Sequence, residues 1–200
     1  MDKKDVKLAR EEILHTGYFQ MVRLHFQHRL FNGGWSNPLE REIVLHGPVV
    51  GIIPYDPVRN SVVLIEQFRN GKFAAADPQP WSVSIAAGVV DTGECPLDTA
   101  RRETFEETGC TVGRLEKALT FYSQPGGSSQ HVTLFCGEVS SDGADGLHGV
   151  EEEGEDIRVF SVPFSQTQDM IDSNQFDNSV SIIGLQWLAR HGDRLRREWT

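Results

Sequence analysis

Two hydrophobic rhythms divide the chain. Val22, Leu24, Phe26, His28 and Leu30 alternate with Arg23, His25, Gln27 and Arg29, the two-residue period of a half-buried strand. Asn32-Gly33 follows at once, a strong hairpin signal that predicts a return strand over residues 39–45. An earlier strand is predicted over 11–19, ending near Gly17-Tyr18-Phe19. From residue 49 the alternation gives way to solid apolar runs. Val49-Val50-Gly51-Ile52-Ile53 and Val62-Val63-Leu64-Ile65, joined by the turn residues 56–60, predict a buried central hairpin. Residues 1–46 therefore read as an N-terminal β-rich annex and 47–200 as the main domain.

Residues 70–80 read as a loop, 81–87 as a strand, and 115–122 and 131–139 as two more strands. Residues 140–156 form an acidic, glycine-rich stretch longer than ordinary connections, which favours a functional loop. A last strand over 157–162 stops at Pro163. Phe164, Thr167, Met170 and Ile171 then have helical spacing, and Ser179 can cap a final helix through Val180, Ile183, Trp187 and Leu188. That helix ends in Arg194-Leu195-Arg196-Arg197, where the helix dipole favours cations, so the tail reads as a solvated helix end rather than a nucleic-acid patch. Mixed strands and helices over this length suit one α/β or α+β domain with a small annex.

Charge narrows the partners. The formal net charge of −10 argues against nucleic acid as the main partner, since phosphate contacts need a basic surface. No apolar run reaches membrane-span length, and the polar start Met1-Asp2-Lys3-Lys4-Asp5 leads into no signal-peptide core. Three cysteines, Cys95, Cys110 and Cys136, form no C-x-x-C pair, as expected of reduced thiols in a cytoplasmic protein. Zinc spacing, a P-loop and Gly-x-Ser-x-Gly are all absent from the sequence. His131 and His148 lack a neighbouring carboxylate or cysteine motif and read as packing residues.

The chemistry concentrates in residues 88–110, GVVDTGECPLDTARRETFEETGC. At about 100° per residue, Glu103, Glu106 and Glu107 share one helix face. Like charges so placed repel, and a hard divalent ion, which prefers carboxylate oxygens, water and substrate phosphates, would relieve them. The bland alternative is a solvated acidic face. Leu97, Arg101, Thr104, Phe105 and Thr108 line the other side, predicting a helix that lies on the sheet with its acidic side out. Pro96 suits the first turn and Gly109 the C-terminal stop.

This stretch resembles the Nudix box, G-x5-E-x7-R-E-U-x-E-E-x-G-U. Gly88, Glu94, Arg102, Glu103, Glu106, Glu107 and Gly109 fill all seven fixed positions, while Thr104 and Cys110 stand where the pattern wants bulky aliphatics. The resemblance implies an α/β/α sandwich with a mixed central sheet. Over nearly the whole chain the sequence is similar to the ADP-ribose diphosphatases of that superfamily. Pro125 within 123–129, Gly146-Leu147-His148-Gly149, the following Glu153-Gly154-Glu155-Asp156-Ile157, and Arg41-Glu42-Ile43 carry the likeness.

That likeness implies Mg²⁺-dependent hydrolysis of ADP-ribose to AMP and ribose 5-phosphate, with two or three ions and Mn²⁺ as a substitute. It also implies a homodimer that exchanges its N-terminal sheets, so that active sites take residues from both chains. Glu103, Glu107 and the Ala87 carbonyl would bind metal. Glu106 would support or share an ion, and Arg102 would hold the box glutamates. Glu153 aligns with the proposed general base and Glu155 with a further metal contact, although Glu151, Glu152, Glu153 and Glu155 lie too close for spacing alone to choose. For substrate, Tyr18 and Phe19 stand where an aromatic ring stacks on adenine, with Tyr18 as a core or strand-end residue the competing reading. Arg41, Glu42 and Arg69 would lie near adenine and diphosphate, and Gly127, Ser129 and Gln130 in the loop after the box would complete the site. Gln130 replaces a glutamate found near the terminal ribose. GDP-mannose is the rival substrate, and a non-catalytic ADP-ribose sensor the rival class.

Overall fold

The computed structural model describes residues 1–200. The chain forms two compact units, one of residues Met1–Gly47 with Tyr122–His131 and one of Pro48–Phe121 with Val132–Thr200.

The first unit is built on an antiparallel sheet of three strands in chain order, β1 (Val6–Thr16), β2 (Gln20–His28) and β3 (Leu39–Leu45). The first strand begins earlier than its hydrophobic pattern predicts, because nearly every residue of β1 is solvent-exposed and its pattern is therefore weak. Gly17, Tyr18 and Phe19 make the turn into β2 and not the strand end, with the Gly17 N–H donating to the Phe19 carbonyl. The Asn32-Gly33 turn closes only a single bridge, Arg29 to Trp35, and β3 waits until Leu39. Residues 122–131 join this unit through Val44, whose N–H donates to the Gly127 carbonyl and whose carbonyl accepts from Ser129.

The second unit carries a mixed sheet. Its elements are β4 (Val49–Asp56), β5 (Ser61–Phe68), the short helix α1 (Asn70–Ala74), β6 (Trp81–Ser84), β7 (Ala86–Val89), α2 (Pro96–Thr108), β8 (Leu115–Tyr122), β9 (His131–Glu138), β10 (Gly146–His148), β11 (Ile157–Pro163), α3 (Thr167–Asp172) and α4 (Ser179–Trp199). The order across the sheet is β10-β11-β5-β4-β9-β8, with β6 added to β5 and β7 to β4. β4 and β9 run parallel, while the pairs β10–β11, β11–β5, β5–β4, β5–β6 and β4–β7 are antiparallel.

The solid apolar run at residues 49–53 is explained by burial on both faces, since all of β4 is buried. Val50 and Ile52 pack with Ala86, Phe135 and Ala100 of α2. Ile53 and Tyr55 pack with Leu64, Leu134 and Leu185, Leu188 and Leu195 of α4. Successive strand residues point to opposite faces, so α2 and α4 cover opposite sides of the sheet and the unit is the α/β/α sandwich. Burying one side chain such as Leu134 contributes about 1.5–3 kcal/mol.

Four further predicted boundaries differ. Residues 70–80 include the turn of helix α1. The stretch 140–156 contains β10 and a 3-10 turn, Glu151–Glu153. The strand predicted over 81–87 is two strands, because the chain changes partner at Ile85 from β5 to β4. Asn178, not Ser179, caps α4, accepting from the Ser181 N–H at 3.0 Å. No helix is long and apolar enough to cross a membrane.

Candidate active site

The box follows β7 into α2. Pro96 takes the first helical turn, and Gly109 ends the helix with φ of +70°, a left-handed cap whose N–H donates to the Phe105 carbonyl. The helix lies on the sheet, but by a face rotated from the predicted one, sharing with it only Thr104 and Thr108. Its buried residues are Thr99, Ala100, Thr104, Glu107 and Thr108, while Leu97 and Phe105 are exposed. Small side chains let the helix settle closely; the Thr104 hydroxyl, where the pattern wants a bulkier group, and the Thr108 hydroxyl donate to carbonyls one turn back. Part of the acidic side is thereby turned inward.

Glu107 shows this most strongly, at 2% exposure. One carboxylate oxygen accepts from the Ala87 N–H at 2.8 Å and the other from Gln67 Nε2 at 3.3 Å. Burial pushes its carboxyl up to about 8, helped by the charges of Glu103 and Glu155 and opposed by the Ala87 hydrogen bond and Arg69. Glu103 is pushed up to about 7, again chiefly by burial, which outweighs its ion pair with Arg102 at 2.8 Å. Gly88 faces it: a Cβ there would lie 1.9 Å from the Glu103 carboxylate. Glycine is the only residue that admits the carboxylate in that position.

Arg102 spans the rest. Its guanidinium grips Glu94 through two nitrogens, each at 3.1 Å, and reaches Glu106 at 2.8 Å. Thr99 donates to the same Glu94 at 2.7 Å. Together these hold Glu94 down to about 2, the Arg102 hydrogen bond being the largest cause.

The acidic stretch meets the helix at its backbone, where the Gly149 N–H donates to the Glu106 carbonyl at 3.1 Å. Glu155 accepts from the Val150 N–H, and its charge acts on both Glu103 and Glu107. Glu153 sits in the exposed 3-10 turn beside it. Arg69 is half-buried, donates to the Ser84 hydroxyl at 3.0 Å and lies in the fields of Glu107 and Glu155; burial lowers its pKa. His148 bonds to the Asp145 carbonyl and packs against Gly109, a structural role.

In the first unit, Tyr18 is 88% exposed, which removes the core reading. Its ring meets Phe19 edge-on at 4.8 Å, and Phe19 lies 5.3 Å from His46. Ser129 accepts from the His46 N–H and donates to the His46 carbonyl. Gln130 accepts from the Ser123 hydroxyl at 2.6 Å. Glu42 pairs with Arg23 at 2.8 Å, and Arg41 donates to the Glu40 carbonyl. Gln67, Thr99 and His46 were not singled out by sequence reading. Gln67 had one available signal, a polar residue closing an apolar strand ahead of the box.

The family model for the NUDIX domain matches residues 45–178. The chain belongs to the Nudix family. It is 41% identical over 197 residues to an ADP-ribose pyrophosphatase of Escherichia coli (strain K12), covering 98% of this chain and 94% of the relative. A Haemophilus influenzae ADP-ribose pyrophosphatase is 39% identical over 201 residues, covering 98% and 92%. A GDP-mannose pyrophosphatase of Enterobacter sp. is more distant, 31% identical over 188 residues and covering 94% and 96%. A solved ADP compounds hydrolase shares the Nudix fold with a TM-score of 0.73 at 18% identity, covering 96% of this chain and 97% of the other.

Nudix hydrolases work with divalent metal ions. No three His, Cys, Asp or Glu side chains converge tightly enough to cage an ion, and Arg102 lies across Glu103 and Glu106 instead. The donor set nevertheless fits one. It is made of oxygens, and because burial raises the pKa values of Glu103 and Glu107, a cation beside them would favour their charged forms.

Proposed function

We propose that this Nudix protein hydrolyses ADP-ribose to AMP and ribose 5-phosphate with Mg²⁺ or, in its place, Mn²⁺. The observation that carries the reading is the pair of inward-turned carboxylates, Glu103 and Glu107, with Gly88 leaving room for the first and the negative charge of Glu155 crowding both. The greater similarity to ADP-ribose pyrophosphatases than to GDP-mannose pyrophosphatases supports the choice of substrate.

In the reaction one P–O bond of the diphosphate bridge breaks, the oxygen of water ends on one phosphate, and its proton leaves to a carboxylate. Glu153 takes that proton in our assignment, with Glu155 beside it. Glu103, Glu107 and the Ala87 carbonyl would hold the divalent ion, which would supply positive charge against the phosphoryl oxygens. Arg102 keeps Glu103 and Glu106 oriented, and Arg69 adds a fixed cation for the diphosphate. Tyr18 and Phe19 offer an aromatic ledge for adenine. Arg41 and Glu42 contact the nucleotide, and Gly127, Ser129 and Gln130 the far sugar.

We assign residues 1–46 to dimerisation by exchange of sheets and 47–200 to catalysis. Exposed Val6, Leu8 and Ile13 on β1 support a homodimer with shared sites. Three free cysteines support a cytoplasmic setting. Purified protein with Mg²⁺ and a panel of ADP-ribose, GDP-mannose, NADH and diadenosine polyphosphates tests the reading. AMP and ribose 5-phosphate should form fastest from ADP-ribose. Faster cleavage of GDP-mannose overturns the substrate assignment, and tight ADP-ribose binding without AMP turns the protein into a sensor.

A further inference from the structure

His46 lies outside every motif in the sequence, yet a chain of hydrogen bonds converges on it. Its Nδ1 is 2.8 Å from the Gly47 carbonyl, which only accepts, so Nδ1 carries the proton. In the neutral ring Nε2 is then an acceptor, and it lies 3.4 Å from Gln130 Nε2, which only donates. The other end of the same carboxamide accepts from the Ser123 hydroxyl at 2.6 Å. These three bonds agree with one another only if the amide has its oxygen toward Ser123 and its nitrogen toward His46. The ring of His46 also packs against Phe19, which in turn braces Tyr18.

We propose that His46 is a positioning residue for recognition of the substrate's sugar, acting through Gln130 and, by its ring face, through Phe19. With Ser123 and His46 engaged, the Gln130 carboxamide keeps one N–H and one oxygen lone pair, a neutral donor and acceptor side by side. That pairing suits a vicinal diol, in which one hydroxyl accepts and its neighbour donates. A glutamate at 130 could not donate to Nε2, so His46 and the amide form a matched pair. The inference rests on the sugar-nucleotide reading of the site.

The test is steady-state kinetics on the full chain, with His46→Phe, His46→Gln and Ser123→Ala. Phenylalanine keeps the ring contact and loses the hydrogen bond. Glutamine offers a carbonyl oxygen near the old Nε2 position. His46→Phe should raise KM about 3- to 10-fold, the range for one oriented hydrogen bond, with kcat within about twofold. His46→Gln should restore most of that rise, and Ser123→Ala should raise KM similarly from the other end of the amide. Unchanged KM in both His46→Phe and Ser123→Ala overturns the proposal, as does a fall confined to kcat. If His46→Phe fails to fold, Ser123→Ala alone decides. Wild-type turnover is followed on the whole sugar-nucleotide panel. Loss of ADP-ribose as substrate therefore defeats the proposed function, while KM on whichever sugar nucleotide is cleaved still decides the role of His46.

Discussion

Gly88→Ala separates the stability of this protein from its chemistry. The added Cβ would lie 1.9 Å from Glu103 Cδ and Oε1 and 2.4 Å from Oε2, where ordinary contact begins at 3.4 Å. The carboxylate must therefore retreat by about 1.5 Å, the order of displacement that costs ~10²-fold when it falls on a catalytic group. Gly88 is not among the glycines with positive φ, so alanine brings no backbone strain. The obstacle is the far end of a flexible side chain, and turning it off its rotamer costs about 0.5–1.5 kcal/mol. Reduced freedom of the unfolded chain offsets about 0.4–1 kcal/mol of that. At about 2–4 °C per kcal/mol for a chain of this size, Tm should fall by no more than a few degrees. Thermal unfolding and initial rates over a Mg²⁺ titration measure the two effects together. Glu103→Asp in the Gly88→Ala background, which shortens the side chain by one methylene, should recover part of the lost rate. Wild-type activity in Gly88→Ala would refute the reasoning, because Glu103 would not need its place against Gly88. A Tm loss above about 10 °C would refute it differently, by showing that the glycine serves the backbone.

Glu107→Gln should nearly abolish turnover and raise the Mg²⁺ requirement, while Tm of metal-free protein at pH 9 rises because a buried charge has gone; full activity at ordinary Mg²⁺ would remove the metal role. Glu153→Gln should lose at least about tenfold in kcat with KM retained, since general-base help contributes about 10²- to 10⁴-fold. Wild-type turnover in that variant, set beside a loss in Glu155→Gln, would move the base to Glu155. Glu94, held down to about 2 by Arg102 and Thr99, contributes stability that is present above its unfolded value near 4.5 and is lost as pH falls through about 2. Chemical denaturation of Glu94→Gln should therefore show a deficit against wild type at pH 7 that shrinks between pH 4.5 and 2, and a deficit independent of pH would mean that the ion pair is not its source.

The sequence made the grouping of the box carboxylates legible but not their direction. Helical spacing puts Glu103 and Glu107 on one face whatever that face meets, and a repeating turn says nothing about which side is down. Ranking side chains by hydrophobicity favoured Leu97 and Phe105 as the buried face. Of that face the structure buries only Thr104 and Thr108 and adds Ala100 and Thr99, since close approach to the sheet rewards small volume and the hydroxyls bond within the helix. The two-faced burial of β4 was readable as a solid apolar run, and the N-terminal sheet as alternation. The break at Ile85 was hidden because an apolar run reads alike whether the strand keeps its partner or changes it. His46 gave no signal, because its partner Gln130 is distant in sequence and meets it only through the pairing of residues 127–129 with Val44.

That break at Ile85 is what makes the site possible. A strand continuing on β5 would keep its N–H groups in one ladder, whereas the change of partner to β4 sets Ala86 to Val89 in a new register. The groups released at the crossing are taken up by the start of α4. The Ile85 N–H donates to the Ser181 hydroxyl at 3.0 Å, the Val83 carbonyl accepts from Asn178 at 3.1 Å, and the Ser82 hydroxyl donates to Asp177 at 3.1 Å. With those needs met from one side of the sheet, the Ala87 N–H is free to donate to Glu107 on the helix that covers the other. The two covering helices thus act on one strand from opposite faces. α4 fixes where the strand crosses, and α2 uses the N–H that the crossing leaves available to hold a carboxylate that burial alone would drive toward its neutral form.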